Sequence, residues 1–380
     1  MTPGHLTPAQ TERGEEFRAF ADRELAPHAA RFDAEQAISR ESIAALAEHG
    51  YLGSAVPAEH GGGGLGMVAY GLLAEEIGRA CQSVRNFVAV EDMVIHSLLR
   101  WGSDAHRERW LGPLLGGAAV AAFALTEPTA GSDAGAVKTT ARPDGGGYRI
   151  DGAKKWISFA QIADVFLVFA DLGGKHTAFL VERDTPGLSV APVTGLLGLR
   201  GSLLGDITLD GCAVPGDGIV GGPGLGLAFV ASGALDLGRY STACGAVGLA
   251  EACLRACATY AGERTQHGTE IRNHQLVQAV LADLVTDTTA ARSRLRPARW
   301  LSRERGSVEA VNHTLMAKYR ASTVAVRAAS DAVQLHGANG VGEGAVQRHY
   351  RDAKVLEIIE GTTQIQQVLL GQYAARVGAR

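Results

Sequence analysis

The hydrophobic period changes twice along the chain, and that order limits the fold more than any single motif does. The first third repeats apolar residues at helical spacing. Thr7-Pro8-Ala9-Gln10 offers an N-cap, a proline at the first helical position and a capping-box glutamine, after which Phe17, Phe20, Ala21 and Leu25 share a face. A second helix is expected from near Ser39 to Gly50. Pro57 to Gly66 is too glycine-rich for helix or regular strand and reads as a loop before further helices that run to about Leu111. From about Ala118 to Pro215 the segments become short, β-branched or aromatic, and bounded by Gly, Asp and Pro. Strands are expected at Ala119 to Leu125, Tyr148 to Ile150, Val165 to Ala170, Ala178 to Val181 and Asp206 to Leu209. Residues 216 to 226 are mostly glycine and read as a flexible connection.

Beyond it the helices are long. Leu315, Tyr319, Ser322, Val326, Ala329 and Val333 form one stripe, and Leu276, Val280, Leu284, Thr288, Ala291 and Leu295 form another. Small residues from Gly238 to Tyr260 permit close helix approach. The implied fold class is α+β, with an N-terminal helical domain (1–117), a middle β-domain (118–220) and a C-terminal four-helix bundle (221–380). Helices, then sheet, then helices excludes the strand–helix alternation of Rossmann and TIM folds.

Composition removes several function classes. Lys+Arg 36 against Asp+Glu 40 gives a net charge of -4, so no global basic field exists to hold nucleic acid. With no apolar run long enough for membrane insertion and no signal-like N-terminus, a cytoplasmic location is expected. The cysteines, 5 in number and without a C-x-x-C, read as reduced and buried. The 12 histidines show no metal-ligand spacing, so no metal site is expected.

Near the C-terminus Glu360-Gly361 falls between a helix ending at Ile359 and another opened by Thr363 with Gln366. A carboxylate following Ile358 and Ile359, with no cation beside it in sequence, reads either as a poorly solvated general base or as an ordinary exposed helix-terminal glutamate.

Five ordered motifs resemble the acyl-CoA dehydrogenase family over nearly the whole length. They are Ala124 to Asp133, Lys155-Trp156-Ile157-Ser158, Glu263-Arg264-Thr265-Gln266, Gln334 to Gly340, and Arg351 to Lys354 continuing through Glu360-Gly361-Thr362. The resemblance implies bound FAD. It places Leu125, Thr126, Gly131, Ser132, Trp156 and Ser158 around the flavin, Arg264 on its pyrophosphate, Gln275, Gln334 and Gln364 on its nucleotide half, and Thr362 as a further FAD contact. Since the family shares FAD between subunits, it also implies a homodimer or homotetramer.

It further implies α,β-dehydrogenation of an acyl thioester with Glu360 as base, and substrate contacts from Ser132, Asp236, Arg239 and Gly361. The alternative base position of the family, before an arginine on an earlier helix, is Gly238 here. Ser158 stands where the family usually has Thr, and His267 where Phe is common. Electrons would pass to an electron-transfer flavoprotein or a similar acceptor.

The carrier is left open between CoA and an acyl carrier protein. Arg292, Arg294, Arg296, Arg299, Arg303 and Arg305 around Pro297 read as a basic run for either, or as a solvated face. In Arg79-Ala-Cys-Gln-Ser-Val-Arg85 and Leu356-Glu-Ile-Ile-Glu360 the chain is similar to the polyketide-pathway branch that handles hydroxymalonyl units on a carrier protein. Oxidation of an α-hydroxyacyl thioester, a flavin monooxygenase or oxidase on the same scaffold, and a non-catalytic relative without cofactor stand as alternatives.

Overall fold

The computed structural model describes residues 6–295 and 308–377. The first helices are α1 (Pro8–Phe20), α2 (Ala29–Glu35), α3 (Arg40–Glu48), α4 (Met67–Ala80), α5 (Gln82–Trp101) and α6 (Asp104–Leu115). The expected capping box closes α1: the Gln10 amide donates to Thr7 Oγ1 at 3.2 Å, and the Thr7 amide donates to Gln10 Oε1 at 3.1 Å. Ser39 caps α3 in the same way, accepting from the Ser42 amide. These helices bury aromatic and aliphatic residues, Phe17, Phe20, Phe32 and Phe87 among them, against one face of a sheet.

That sheet contains β1 (Ala121–Ala124), β2 (Thr140–Asp144), β3 (Gly147–Ile157), β4 (Val165–Asp171), β5 (His176–Glu182), β6 (Leu188–Pro192), β7 (Gly205–Val214) and β8 (Ile219–Val220). Their order is β6-β7-β3-β2-β4-β5-β8, with β1 lying parallel to β4. β2 and β6 were not expected from the sequence, because both are largely solvent-facing and carry no apolar alternation. The 216–226 stretch is anchored where a flexible connection was expected. Ile219 and Val220 pair with Phe179 and Ala178, and Val220 is fully buried, so two β-branched residues among the glycines add an edge strand.

The chain then returns to helix as α7 (Ser232–Glu263), α8 (Gln275–Arg294), α9 (Val308–His336), α10 (Ala338–Val341), α11 (Ala345–Leu356) and α12 (Thr363–Val377). Helix α7 is enclosed by α4, α5, α8 and α9, and its small residues allow this. At its crossing with α4 the backbones touch: a Cβ on Gly78 would stand 2.5 Å from the Cα of Gly245. On α8 the expected stripe is buried at Leu284, Thr288, Ala291 and Leu295, but Leu276 is 84% exposed, so the first turn of the helix projects beyond the packed body.

Arg292 does not join a basic face. It bridges Glu75 at 2.7 Å and Glu251 at 3.0 Å, linking α8 to α4 and α7, because its position on α8 faces the bundle rather than solvent. Arg296, Arg299, Arg303 and Arg305 lie outside the described residues. All five cysteines are free and buried. Among the described residues no helix is long and apolar enough to cross a membrane.

Candidate active site

Two groups of side chains each touch α5, one through Asn86 and one beside Met93. The first sits at the end of β1, where the chain leaves the sheet through Leu125 and Thr126. Lys154, fully buried, fastens this exit. Its Nζ lies 2.7 Å from Glu127 Oε1 and donates to the carbonyls of Phe169 (2.6 Å) and Leu125 (3.3 Å). Glu127 also accepts from the amides of Lys138 and Thr139. Burial pulls the Lys154 ammonium down to about 8, and Glu127 opposes that shift. The Thr126 carbonyl accepts from the Lys155 amide at 2.9 Å, which ties the β1 exit to β3.

The pairing of β3 with β7 slips between Lys154 and Ile157, and this irregularity turns Trp156 out of the sheet. Its backbone takes a left-handed φ of +60°, a conformation that costs a non-glycine residue about 1–2 kcal/mol. The indole is 50% exposed, and the Lys155 ammonium lies 5.1 Å from the ring centroid. Ser158 Oγ accepts from Asn86 Nδ2 at 3.2 Å, joining β3 to α5. Gly131 and Ser132 lie exposed in the loop after the Glu127–Ala130 bridge.

The second group is built around Glu360. Helix α12 is capped one residue earlier than expected: the Ile365 amide donates to Thr362 Oγ1 at 3.3 Å, and Gln366 Nε2 reaches back to the Gly361 carbonyl at 3.1 Å. Thr363 is instead buried, facing Glu357. Moving the cap to Thr362 leaves Glu360 and Gly361 as the turn, with φ of +56° and +90°. Arg239 Nε donates to the Glu360 carbonyl at 3.0 Å, and Lys318 Nζ donates to the Gly361 carbonyl at 2.8 Å. No acceptor among the described residues takes the Glu360 amide.

The carboxylate itself is turned inward, and Oε2 is buried without a hydrogen-bond partner. Burial raises the Glu360 pKa above the usual carboxylate range, while Arg239, Arg85 and Lys318 pull it back only in part. The exposed-glutamate alternative is therefore not what folds. Lys318 is 0% exposed and is brought down to about 7 by burial.

Arg85 and Lys318 escaped the sequence reading, which found no cation near Glu360. Their signal was a lone charge inside an apolar face, Arg85 between Val84 and Phe87 and Lys318 between Ala317 and Ala321. Asp236 is buried, and Arg239 points inward onto the Glu360 turn.

The remaining candidates stand apart. Arg264, Gln275 and Gln334 lie exposed at one end of the bundle. There Tyr260 of α7 stacks on His336 of α9 at 4.3 Å, and His274 contacts the Gln266 carbonyl at 3.2 Å. Gln364 is exposed on the first turn of α12. Within one chain these four do not contact the Trp156 or Glu360 groups.

Family models match almost the entire chain. They are described as acyl-CoA dehydrogenase N-terminal domain (residues 7–118), middle domain (122–212) and C-terminal domain (224–374). A relative named probable acyl-CoA dehydrogenase YngJ, from Bacillus subtilis (strain 168), is 37% identical over 97% of this chain and 98% of its own length. The solved butyryl-CoA dehydrogenase of Megasphaera elsdenii superposes with a TM-score of 0.92 at 29% identity, covering 98% of this chain and 100% of that one. FkbI, described as serving biosynthesis of the methoxymalonyl extender unit of the Fk520 polyketide, superposes with a TM-score of 0.85 at 33% identity, covering 96% and 99%.

Proposed function

The chain belongs to the acyl-CoA dehydrogenase family, and on that premise we propose that it is an FAD-dependent dehydrogenase of an acyl thioester in which Glu360 removes the α-proton. The observation that carries the reading is the buried, unpartnered Oε2 of Glu360 in a strained turn held from both sides.

The residues present suit FAD. A half-exposed indole is held at a costly φ, Thr126 and Ser158 adjoin at the exits of β1 and β3, Ser132 is exposed in the following loop, and a second group, which like Ser158 touches α5, holds an unpartnered buried carboxylate. FAD, when bound, supplies the acceptor for the hydride that leaves the β-carbon. Leu125, Thr126, Gly131, Ser132, Trp156 and Ser158 would hold its ring side, and Thr362 would be a further contact. Arg264, Gln275, Gln334 and Gln364 would hold the pyrophosphate and nucleotide of an FAD shared with a neighbouring copy, as a homodimer or homotetramer. The projecting first turn of α8, with Leu276 beside Gln275, supports that arrangement.

Burial makes the Glu360 carboxylate a stronger base than one in water, while the three neighbouring cations sustain its ionised form. Arg239 and Lys318 grip the carbonyls of Glu360 and Gly361, which fixes the direction of the turn. The Glu360 amide is then available to a thioester carbonyl and would stabilise the charge that develops there. Ser132, Asp236, Arg239 and Gly361 would border the substrate.

The similarity to FkbI favours a second reading in polyketide extender-unit formation; in the branch that the sequence resembles, the thioester would ride on a carrier protein and oxidation would fall at an α-hydroxyl carbon. An electron-transfer flavoprotein or similar acceptor would complete turnover in either case. Anaerobic mixing of the yellow holoprotein with CoA and carrier-protein thioesters tests both readings. Bleaching by an alkanoyl or hydroxyacyl thioester is expected, and its absence with every member would contradict the proposal. Peroxide formation or oxygen insertion in place of stable bleaching would favour an oxidase or monooxygenase.

A further inference from the structure

Arg85 is the largest fully buried side chain among the described residues, 1% exposed, and its contacts are neutral. Nε donates to Gln82 Oε1 at 3.3 Å, Nη1 donates to Thr242 Oγ1 at 3.2 Å, and Nη2 is buried with no partner. Burial lowers its pKa to about 10, so it remains a cation at neutral pH. An enclosed guanidinium held only by long, neutral hydrogen bonds is a costly arrangement, and buried cations ordinarily sit on a carboxylate. Here none lies within ion-pair reach among the described residues.

Its place relative to the base is set by one face of α7. A Cβ on Gly238 would stand 2.7 Å from Glu360 Oε2. Thr242, one turn on, receives Nη1 of Arg85, and a Cβ on Gly245 would stand 2.8 Å from Arg85 Cδ. Gly238, Thr242 and Gly245 form a single stripe, so carboxylate and guanidinium lie on the same side of the helix about one turn apart, ~5.4 Å along the axis. The Glu360 charge is the chief influence that sustains the Arg85 cation against burial. Tyr70 and Ser241, whose hydroxyls neighbour one another, add polar groups to the same interior. An alkyl chain laid there would leave Nη2 unpaired.

We propose that Arg85 determines acyl-group specificity by binding the terminal carboxylate of a short ω-carboxyacyl thioester whose α-carbon lies at Glu360. The spacing suits a carboxylate about two or three carbons beyond the α-carbon, given roughly one helical turn between the two groups. The inference rests on the dehydrogenase reading of Glu360 and names the substrate class of that site.

The test is calorimetric binding to the FAD-loaded Glu360→Gln protein, in which turnover does not consume the ligand. The probes are matched pairs, succinyl against butyryl and glutaryl against pentanoyl, each as the CoA and the carrier-protein thioester. The carboxylated member is expected to bind about a hundredfold more tightly, as for a site that rejects an analogue leaving its buried polar group unpaired. Adding Arg85→Gln is expected to erase the preference, and adding Arg85→Lys to retain part of it. Equal affinity within both pairs, or a preference that survives Arg85→Gln, overturns the proposal. If Arg85→Gln does not fold, the paired comparison in the Arg85 protein decides alone. If no thioester of either class binds this protein or bleaches wild type, the dehydrogenase reading fails instead, a distinct result.

Discussion

The carboxylate of Glu360 occupies the space that a side chain at residue 238 would fill: a Cβ on Gly238 would stand 2.7 Å from both Cδ and Oε2 of Glu360, and 2.7 Å from Sδ of Met93. The base on α12's entry turn is thus seated on a bare stretch of α7, and the two positions exclude one another. Gly238→Ala is expected to lower kcat/KM about a hundredfold, the scale of a displacement near 1 Å at a reacting group. Alanine favours helix over glycine by roughly 0.5–1 kcal/mol, so folding is expected to survive. Steady-state kinetics with flavin content measured in parallel checks this; unchanged kinetics would mean that the carboxylate does not need that seat.

The pH profile carries a sign. Glu360 acts ionised, its pKa is raised by burial, and Lys318 is one of three cations that lower it again. Activity is therefore expected to rise with pH through a limb above the ordinary carboxylate range. Lys318→Met removes a cation and is expected to move that limb to higher pH, while Lys318→Arg leaves it near its original position. The kcat/KM profile of the three proteins is the measurement, and a limb that does not move in Lys318→Met contradicts the electrostatic role.

The Lys154–Glu127 pair fixes the β1 exit and with it Thr126. Lys154→Met leaves a buried carboxylate without its cation and is expected to cost about 3–5 kcal/mol in urea unfolding. The double variant Lys154→Met with Glu127→Leu removes both charges and is expected to recover most of that loss. If single and double variants are equally destabilised, packing rather than charge accounts for the effect.

Much of this architecture was legible in the chain because it rests on local periodicity. The opening capping box, the change to short strands and the long helices around α7 all follow from residues near one another in sequence. The break holding Glu360 was visible as well, because Gly361 interrupts the pattern, although the preceding helix ends at Leu356, before the expected stop at Ile359. The exact cap was not: Thr362 and Thr363 are both plausible, and only the burial of Thr363 against Glu357 separates them. That three cations converge on the base could not be read from the sequence, although Arg239 was named there for the substrate. Arg85 comes from α5, Arg239 from α7 and Lys318 from α9, and only the packing of those helices brings them to one carboxylate. Asn86 is similar, because its contact with Ser158 exists only where α5 crosses the end of β3.

Arg264 lies exposed at the far end of the bundle and makes no ion pair among the described residues, which suits a phosphate ligand. Arg264→Ala is expected to remove a charge-assisted contact of about 1.5–3 kcal/mol, equivalent to roughly a tenfold to hundredfold rise in the Kd for FAD. Retention of flavin during dilution and gel filtration measures it, and the oligomer is expected to persist when FAD is in excess. Wild-type flavin retention in this variant would remove Arg264 from the cofactor site.

The most direct test of the central claim follows the proton itself. A bound thioester incubated with the holoprotein in deuterium oxide is expected to exchange its α-hydrogen at a rate set by Glu360, with mass spectrometry reading the label. Glu360→Gln is expected to slow that exchange by about 10²–10⁴-fold, the usual contribution of a positioned general base, with FAD and thioester still bound. Exchange at the wild-type rate in Glu360→Gln would contradict the account, because the proton would then be leaving to another group.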